Sequence, residues 1–564
     1  MKVRLIVCSL LILSSARPAG GACAREKEGK AVEALFYNGR IITMDPQRPV
    51  AEAIYARGGR IAGVGSTEEI AALAGAGAER HDLKGMTVIP GLTDAHAHFQ
   101  GYALSLANLD LSGTGSFEEI LEMVRSKAAA GEKGKWISGR GWDQNDWASK
   151  DFPDRTGLDL ASPDNPVLLV RVCGHAALAN SAALVLAGID SSTGDPEGGR
   201  IVRDVSGRPT GLLLDEAVSM VKRAIPPVSR AEKKRLFALA ARNCLEAGLT
   251  GVHDMGIGSE TASIYREMFD SGALPLRLTV YYNYDEEDLD SLIAAGLVGG
   301  YADDHYAVAG VKFFVDGSLG ARSAALLEDY SDDPGNLGLL MMAPEELFRR
   351  IRAVHDRGFP VAVHAIGDRA NRTILDIFEK LPAGSPSGGL RHRIEHAQVI
   401  SPEDIGRFAG LGVIPSMQFV HCTSDMPWAA ERLGEERLAG AYAWRSLIET
   451  GCRIPGGSDF PVESIDPFRG IYAAVTRMDE RGNPASGWFP GQRLTVEEAL
   501  RSFTLDAAWA ARQEGTRGSI EKGKLADFVV ISGDITSIDP ARILEIEVIA
   551  TVLGQEIVYD SGKF

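Results

Sequence analysis

The sequence predicts an α/β protein: a (β/α)8 TIM barrel, with a small β-sandwich built from both chain ends and a long insertion after the first barrel strand. Three observations lead there. Strand-like and helix-like segments alternate through the middle of the chain, turn-punctuated β-like runs occupy both ends, and residues 104–227 separate the first strand candidate from the second. At 564 residues the chain exceeds one compact core and has room for a large domain plus a smaller one. A hydrophobic content of 45% and a charged content of 24% are those of a globular protein. The net charge of -17 disfavours nucleic acid or an anionic membrane as partner, since both need a basic face, and leaves a small-molecule substrate as the default. The oligomeric state stays open, a homo-oligomer included.

Met1-Lys2-Val3-Arg4 is a short basic start, followed by the apolar run Leu5 to Leu13 and the small residues Gly20-Gly21-Ala22 before Cys23. That order reads as a secretory signal over residues 1–24, too short to span a bilayer, with a charged tether over 25–33. The expected location is therefore periplasmic or extracellular. Cys23 suggests a lipoprotein cleavage site and a lipid anchor, although Gly20 stands where a bulky aliphatic is usual; ordinary cleavage and release is the alternative. No later stretch is long and apolar enough for a transmembrane helix. The cysteines at 173, 244, 422 and 452 form no C-x-x-C pair, so buried thiols are expected in place of a zinc ribbon or disulfide framework.

Residues 34–87 alternate short β-like runs with turns: Ala34 to Tyr37, Arg40 to Met44, Ala53 to Tyr55 and Arg60 to Val64, with Asn38-Gly39 and Gly58-Gly59 as hairpin signals between them. Residues 506–564 match them with Gly518-Ser519-Ile520, Ala526 to Ile531 and Glu547 to Leu553. The barrel is expected from residues 88–103 and 228–505. Its first strand is the apolar run ending at His96-Ala97-His98. Seven more candidates follow: Leu249 to Asp254, Leu276 to Tyr282, Val308 to Val315, Pro360 to His364, His392 to His396, Gly412 to Met417 and Cys452 to Asp459. Helical periodicity is clearest at Glu232 to Ala247 and Glu345 to Arg357. The insertion 104–227 holds Trp136 to Asp143, the strand-like Pro166 to Val170, and Gly174-His175-Ala176. It reads as a lid or substrate-pocket subdomain, or as a unit whose aromatic residues form its own core.

In a strand, the period of two points His96 and His98 to one side, half of a metal site. Two solvated or hydrogen-bonded histidines would show the same spacing. Lys312, His364, His396 and Asp459 lie at the ends of other strand candidates, and strand ends converge on the catalytic face of a barrel. Singly, they also read as buried hydrogen-bonded histidines, a helix cap and a surface lysine. Together they are hard to dismiss.

These segments resemble the amidohydrolase superfamily, and within it the amidohydrolase family 3 branch, which includes hydrolases like N-substituted formamide deformylase. The resemblance is carried by Pro90 to His98, Asp316-Gly317-Ser318-Leu319-Gly320, His364-Ala365-Ile366-Gly367-Asp368, Ile394-Glu395-His396-Ala397, Gly457-Ser458-Asp459-Phe460-Pro461 and Gly518 to Val529. It implies one or two divalent ions, usually zinc. His96, His98 and Asp459 would hold one and His364 and His396 the other, with Lys312 as a carboxylated bridge. An ammonium offers only donors and cannot ligate a cation, whereas a carbamate is an anionic oxygen ligand. Without that modification a one-ion site is the better reading.

The ligand set implies hydrolysis through a metal-activated hydroxide, with Asp459 taking and returning the proton. The expected substrate is a carbon-nitrogen bond other than a peptide bond: an N-acyl, N-formyl or cyclic amide. Lactone, ester or phosphoester cleavage on the same scaffold is the enzymatic alternative, and a non-catalytic secreted binding or regulatory protein is the other. Asp94 and Asp368 are expected either to orient imidazoles or to cap local structure. Trp142, Asp143, His175 and Arg322 are the candidates for substrate contact.

Overall fold

The computed structural model describes residues 32–381 and 387–564. The expected signal, Cys23 and nearly all of the tether lie outside the described residues. No helix among the described residues is long and apolar enough to cross a membrane.

Eight parallel strands form the central sheet: β1 (Leu92–Ala97), β2 (Leu249–Ile257), β3 (Arg277–Asn283), β4 (Tyr306–Phe314), β5 (Val361–Ala365), β6 (Arg393–His396), β7 (Ile414–Gln418) and β8 (Gly456–Gly457). They lie side by side in chain order, each parallel to the next. β8 returns to β1, where Asp459 N donates to His96 O at 2.8 Å and His98 N to Phe460 O at 2.8 Å, which brings the ring close to a full barrel. Helices cover the outside, so every residue of β1 is buried and the strands read as apolar runs. Two helix starts show the local logic. Ser229 Oγ accepts from Glu232 N ahead of the helix Arg230–Glu246, and Pro344 opens Pro344–His355 where its missing N–H costs nothing.

Two further sheets follow, the first from the N-terminal part of the chain alone and the second from both chain ends. One runs in the order Arg60–Gly65, Ala53–Arg57, Glu33–Tyr37, Glu79–Asp82; the other in the order Glu556–Asp560, Val548–Leu553, Phe528–Ile531, Thr87–Pro90, Arg40–Ile42, Val50–Ala51. Phe36 and Ile54 of the first share a core with Val88, Phe528 and Val530 of the second. Arg277 at the start of β3 ties this unit to the barrel through Asp527, with Nε 2.5 Å from Oδ2 and Nη2 2.8 Å from Oδ1, both side chains nearly sealed.

The insertion has its own sheet, ordered Gly199–Arg203, Pro209–Asp215, Ala176–Ala179, Val167–Arg171, Ile137–Trp142, Leu109–Asp110, with an apolar cluster on each face.

Four expectations are corrected. Asn38-Gly39 is no hairpin, because Glu33–Tyr37 pairs within the first sheet and Arg40–Ile42 within the second; the chain crosses between layers there. Gly58-Gly59 does close a hairpin, with Arg57 opposite Arg60. The run Cys452 to Asp459 shortens to two strand residues after Pro455, and Gly518-Ser519-Ile520 lies outside any strand. Cys173 is exposed, sitting in the turn between Val167–Arg171 and Ala176–Ala179, and Cys452 is half-buried, whereas Cys244 and Cys422 are buried thiols as expected.

Candidate active site

The barrel brings residues spread over more than half the chain to one end. His96 is on β1 with His98 just past it, Lys312 on β4, His364 on β5, His396 at the end of β6, and Asp459 two residues beyond β8. His421 joins them from the short helix Phe419–Asp425 that follows β7 directly. Ring centroids lie 5.7 Å apart for His96 and His98, 4.8 Å for His96 and His396, 4.6 Å for His364 and His396, and 5.9 Å for His396 and His421. The His96 side chain is sealed, while those of His98, His364 and His421 are 34%, 16% and 13% exposed, so the mouth opens on their side.

The proton positions on two rings follow from their partners. His96 Nδ1 is 2.5 Å from Glu395 Oε2, and His98 Nδ1 is 3.0 Å from the Met255 carbonyl oxygen. Each of these oxygens accepts, so each Nδ1 carries the proton and each Nε2 presents a lone pair. Both lone pairs face Asp459 Oδ1, at 3.4 and 3.2 Å. Three lone-pair donors cannot hydrogen-bond to one another. Two ligands held tetrahedrally at about 2.0–2.1 Å from one ion are themselves about 3.3 Å apart, the spacing found here. The residues therefore fit a divalent cation at His96, His98 and Asp459.

The surrounding groups share that unmet demand. His96 Nε2, Lys312 Nζ, His364 Nε2, His396 Nδ1, His421 Nε2 and Asp459 Oδ1 are all buried without a hydrogen-bond partner. Buried polar atoms are normally paired, so such a concentration marks a site made for something else. Burial and the neighbouring Lys312 push His364 down to about 3, and burial with the other imidazoles holds His396 well below the usual range; both are neutral at pH 7 and available as ligands. Lys312, fully buried, is pushed down to about 8 by burial, with Glu395 and Asp459 pulling the other way. It is no surface lysine.

Beneath this layer lies an ionic support that sequence reasoning missed. Arg393 Nε is 2.7 Å from Glu395 Oε1 and Nη2 is 2.9 Å from Oε2, and Arg393 also donates to Ala95 O and Ser416 Oγ. Glu395 would be raised by burial alone, yet Arg393 and His96 hold it below the carboxylate range. Its neighbour His396 drew attention as a ligand type, while an acidic residue inside a strand carries no sign of its own. His421 was missed because it follows its strand inside a helix.

Backbone constraints fix Asp459. It adopts φ +63, an uncommon conformation for a non-glycine residue, and is held by its bond to His96 O. A Cβ at Gly457 would sit 2.6 Å from His96 N, so only glycine lets β8 approach β1 here. Asp94 bridges the same seam, accepting from His96 N, Ser458 N and Ser458 Oγ. Asp368 accepts from Leu327 N and Arg369 N. Neither carboxylate touches an imidazole, so the capping alternative holds for both; Glu395 and Met255 O orient the rings instead.

The four substrate-contact candidates are engaged elsewhere. Trp142 is 1% exposed in the insertion core, donating to Leu169 O and stacked 5.8 Å from Trp147, so it is corrected from substrate contact to packing. Asp143 accepts from Arg171 at 2.6 Å, exposed His175 pairs with Asp215 at 3.0 Å, and Arg322 pairs with Asp332 at 2.8 Å. None of these joins the imidazole cluster.

Comparison with known proteins points the same way. The model of the amidohydrolase family matches residues 79–559. YtcJ of Bacillus subtilis is 37% identical across 94% of this chain and 100% of its own length. N-substituted formamide deformylase of Arthrobacter pascens is 29% identical across 93% of this chain and 98% of its own. Among solved structures, a metal-dependent hydrolase from Pyrococcus horikoshii superposes with a TM-score of 0.74 at 30% identity, covering 90% of this chain and 99% of that one.

Proposed function

From the premise that this chain belongs to the amidohydrolase family, and is thus a hydrolytic enzyme whose family implies a divalent metal, we propose that it hydrolyses carbon-nitrogen bonds other than peptide bonds in small molecules. The substrate class is an N-acyl or N-formyl amide or a cyclic amide. The observation that carries this reading is the convergence of the His96 and His98 Nε2 lone pairs on Asp459 Oδ1 at 3.4 and 3.2 Å. The 29% identity to a formamide deformylase supports the choice of bond.

His96, His98 and Asp459 would hold the first ion, with zinc the expected metal, and His364, His396 and Lys312 line the space beside it. A divalent ion there supplies Lewis acidity toward a carbonyl oxygen and toward water. The chain's residues do the rest. Glu395 and the Met255 carbonyl keep protons on the two Nδ1 atoms, so that both Nε2 atoms stay free to ligate. The Asp459 carboxylate, only 10% exposed, is placed to accept a proton from attacking water and return it to the leaving nitrogen. The substrate approaches from the open side, past His98 and His364. Elemental analysis of the purified protein, with intact mass for a Lys312 carbamate, tests the metal reading. Zinc-loaded protein assayed on amide, lactone and phosphotriester substrates tests the bond: turnover of amides alone is expected, and turnover of only another class overturns the assignment.

A further inference from the structure

Two strand-end residues at the mouth, Asn283 and Phe314, have no part in the metal set. Inward-facing positions on β3 recur every second residue: Thr279 Oγ1 accepts from Arg517 Nη2 at 3.1 Å, and Tyr281 OH accepts from Arg393 Nη1 at 3.3 Å. Asn283 is the next in that row. It lies opposite Lys312 in the parallel register of β3 and β4, and Tyr284 N donates to Lys312 O at 3.0 Å just beyond it. Its side chain is therefore turned to the same space as that of Lys312. Asn283 Oδ1 is buried there with no hydrogen-bond partner among the described residues. A buried acceptor without a donor is costly, and at a catalytic mouth a ligand can bring the donor. On β4 the same alternation sends Phe313 into the outer core and leaves Phe314, half-buried, above Lys312. The Phe314 ring lies 5.1 Å from Lys312 Nζ and 5.9 Å from the His364 ring. Gly256 on β2 faces both: a Cβ there would already touch Lys312 Cγ at 3.7 Å and Phe314 Cζ at 3.9 Å, so a longer side chain would crowd the edge of the ring.

We infer that Asn283 and Phe314 form the substrate subsite, Asn283 Oδ1 accepting the N–H of the scissile amide and the Phe314 ring packing an apolar group on the same nitrogen. One polar point beside an apolar surface is the ordinary makeup of a small-molecule site. The two residues stand on adjacent strands, so the N–H and the apolar group are carried by one end of the substrate. The substrate is then an amide with a single apolar substituent on its nitrogen and a proton still in place. A side-chain amide has no proton to exchange at neutral pH, so the role of Asn283 is recognition, and the proton transfer stays with Asp459. This rests on the hydrolase reading above and narrows its substrate; the metal ligands are untouched by it.

The test compares N-alkyl formamides and acetamides, with chains from methyl to hexyl, against the same amides N-methylated, on metal-loaded wild type, Asn283→Leu and Phe314→Ala of measured metal content. Wild type is expected to favour each N–H amide over its N-methylated counterpart by at least about tenfold, because the methylated compound leaves Asn283 Oδ1 unpaired. Asn283→Leu keeps the shape of the side chain and removes the acceptor. Its kcat/KM for N–H amides should fall by about tenfold with little change for the methylated compounds, so the preference collapses. Phe314→Ala should raise KM by a factor that grows with chain length, reaching about tenfold for the longest chains. Each variant is judged by the ratio between two substrates, so activity lost to misfolding cancels. A wild type that takes both kinds of amide equally, an Asn283→Leu variant with unchanged preference, or a Phe314→Ala variant whose KM change is independent of chain length each overturns the inference and leaves the hydrolase reading standing. A wild-type chain that hydrolyses no amide overturns both.

Discussion

His96 Nδ1 and Glu395 Oε2 meet at 2.5 Å with both side chains sealed from solvent, though 299 residues separate them in the chain. Glu395 in turn forms a two-point pair with Arg393, so the His96 imidazole stands on a buried ionic base. Removing one member leaves the other charge uncompensated, which makes this base the most sensitive support of the site.

Glu395→Gln should lower metal affinity by roughly 10–100-fold, because the amide neither holds the His96 proton as firmly nor balances Arg393. Competition with a chelator measures it. Retention of wild-type affinity would show that ring orientation comes from packing alone.

Asp459→Asn keeps the size of the side chain and removes the proton acceptor. Hydrolysis should fall by about 10²–10⁴-fold under metal-saturating conditions. Steady-state kinetics with measured metal content separates this loss from weakened metal binding, and undiminished kcat in loaded protein would dismiss Asp459 as the base.

Stability should fall with acid through a pair far from the mouth. His392 is pushed down to about 3 by burial, then by His355 and Arg512. Its Nδ1 accepts from Val361 N at 3.1 Å and its Nε2 faces His355 Nδ1 at 2.9 Å, so a second proton breaks a bond. The folded state binds fewer protons than the unfolded one between about pH 6.5 and 3, so stability is lost as pH falls through that window, by at most about 1.4 kcal/mol per unit. Urea melts across that range should show a shallower slope for His392→Gln, and an unchanged slope would assign the acid loss elsewhere.

Arg277→Ala should destabilise the fold by about 3–5 kcal/mol, since Asp527 would remain charged and buried between the barrel and the sheets built from the chain ends. Replacing both with apolar residues should recover much of that loss. A double-mutant cycle by chemical denaturation decides it: additive losses would mean that the pair is not coupled.

The alternation of apolar strands and helical sequence announced the barrel, and residue types that ligate metals stood out at strand ends. Both signals are local. His96, Lys312, His364, His396 and Asp459 were legible because a barrel sends every strand end to one face, so position along a strand predicts position in space. Trp142 shows the limit: the same aromatic residue serves a pocket wall or a core, and only the packing of Trp147 and Leu169 around it decided for the core. Asn38-Gly39 shows another, since a hairpin signal describes a turn and not the sheet to which the next strand belongs.

The sequence by itself determined the fold class and the ligand types gathered at the barrel mouth, because periodicity and strand-end chemistry are written in neighbouring residues. Only the tertiary structure decided that Glu395 sets the His96 proton, that His421 faces Asp459, and that Asp94 braces β8 against β1. Those relations join residues 38 to 364 positions apart, and they depend on ångström-scale distances across a closed ring that no local pattern encodes.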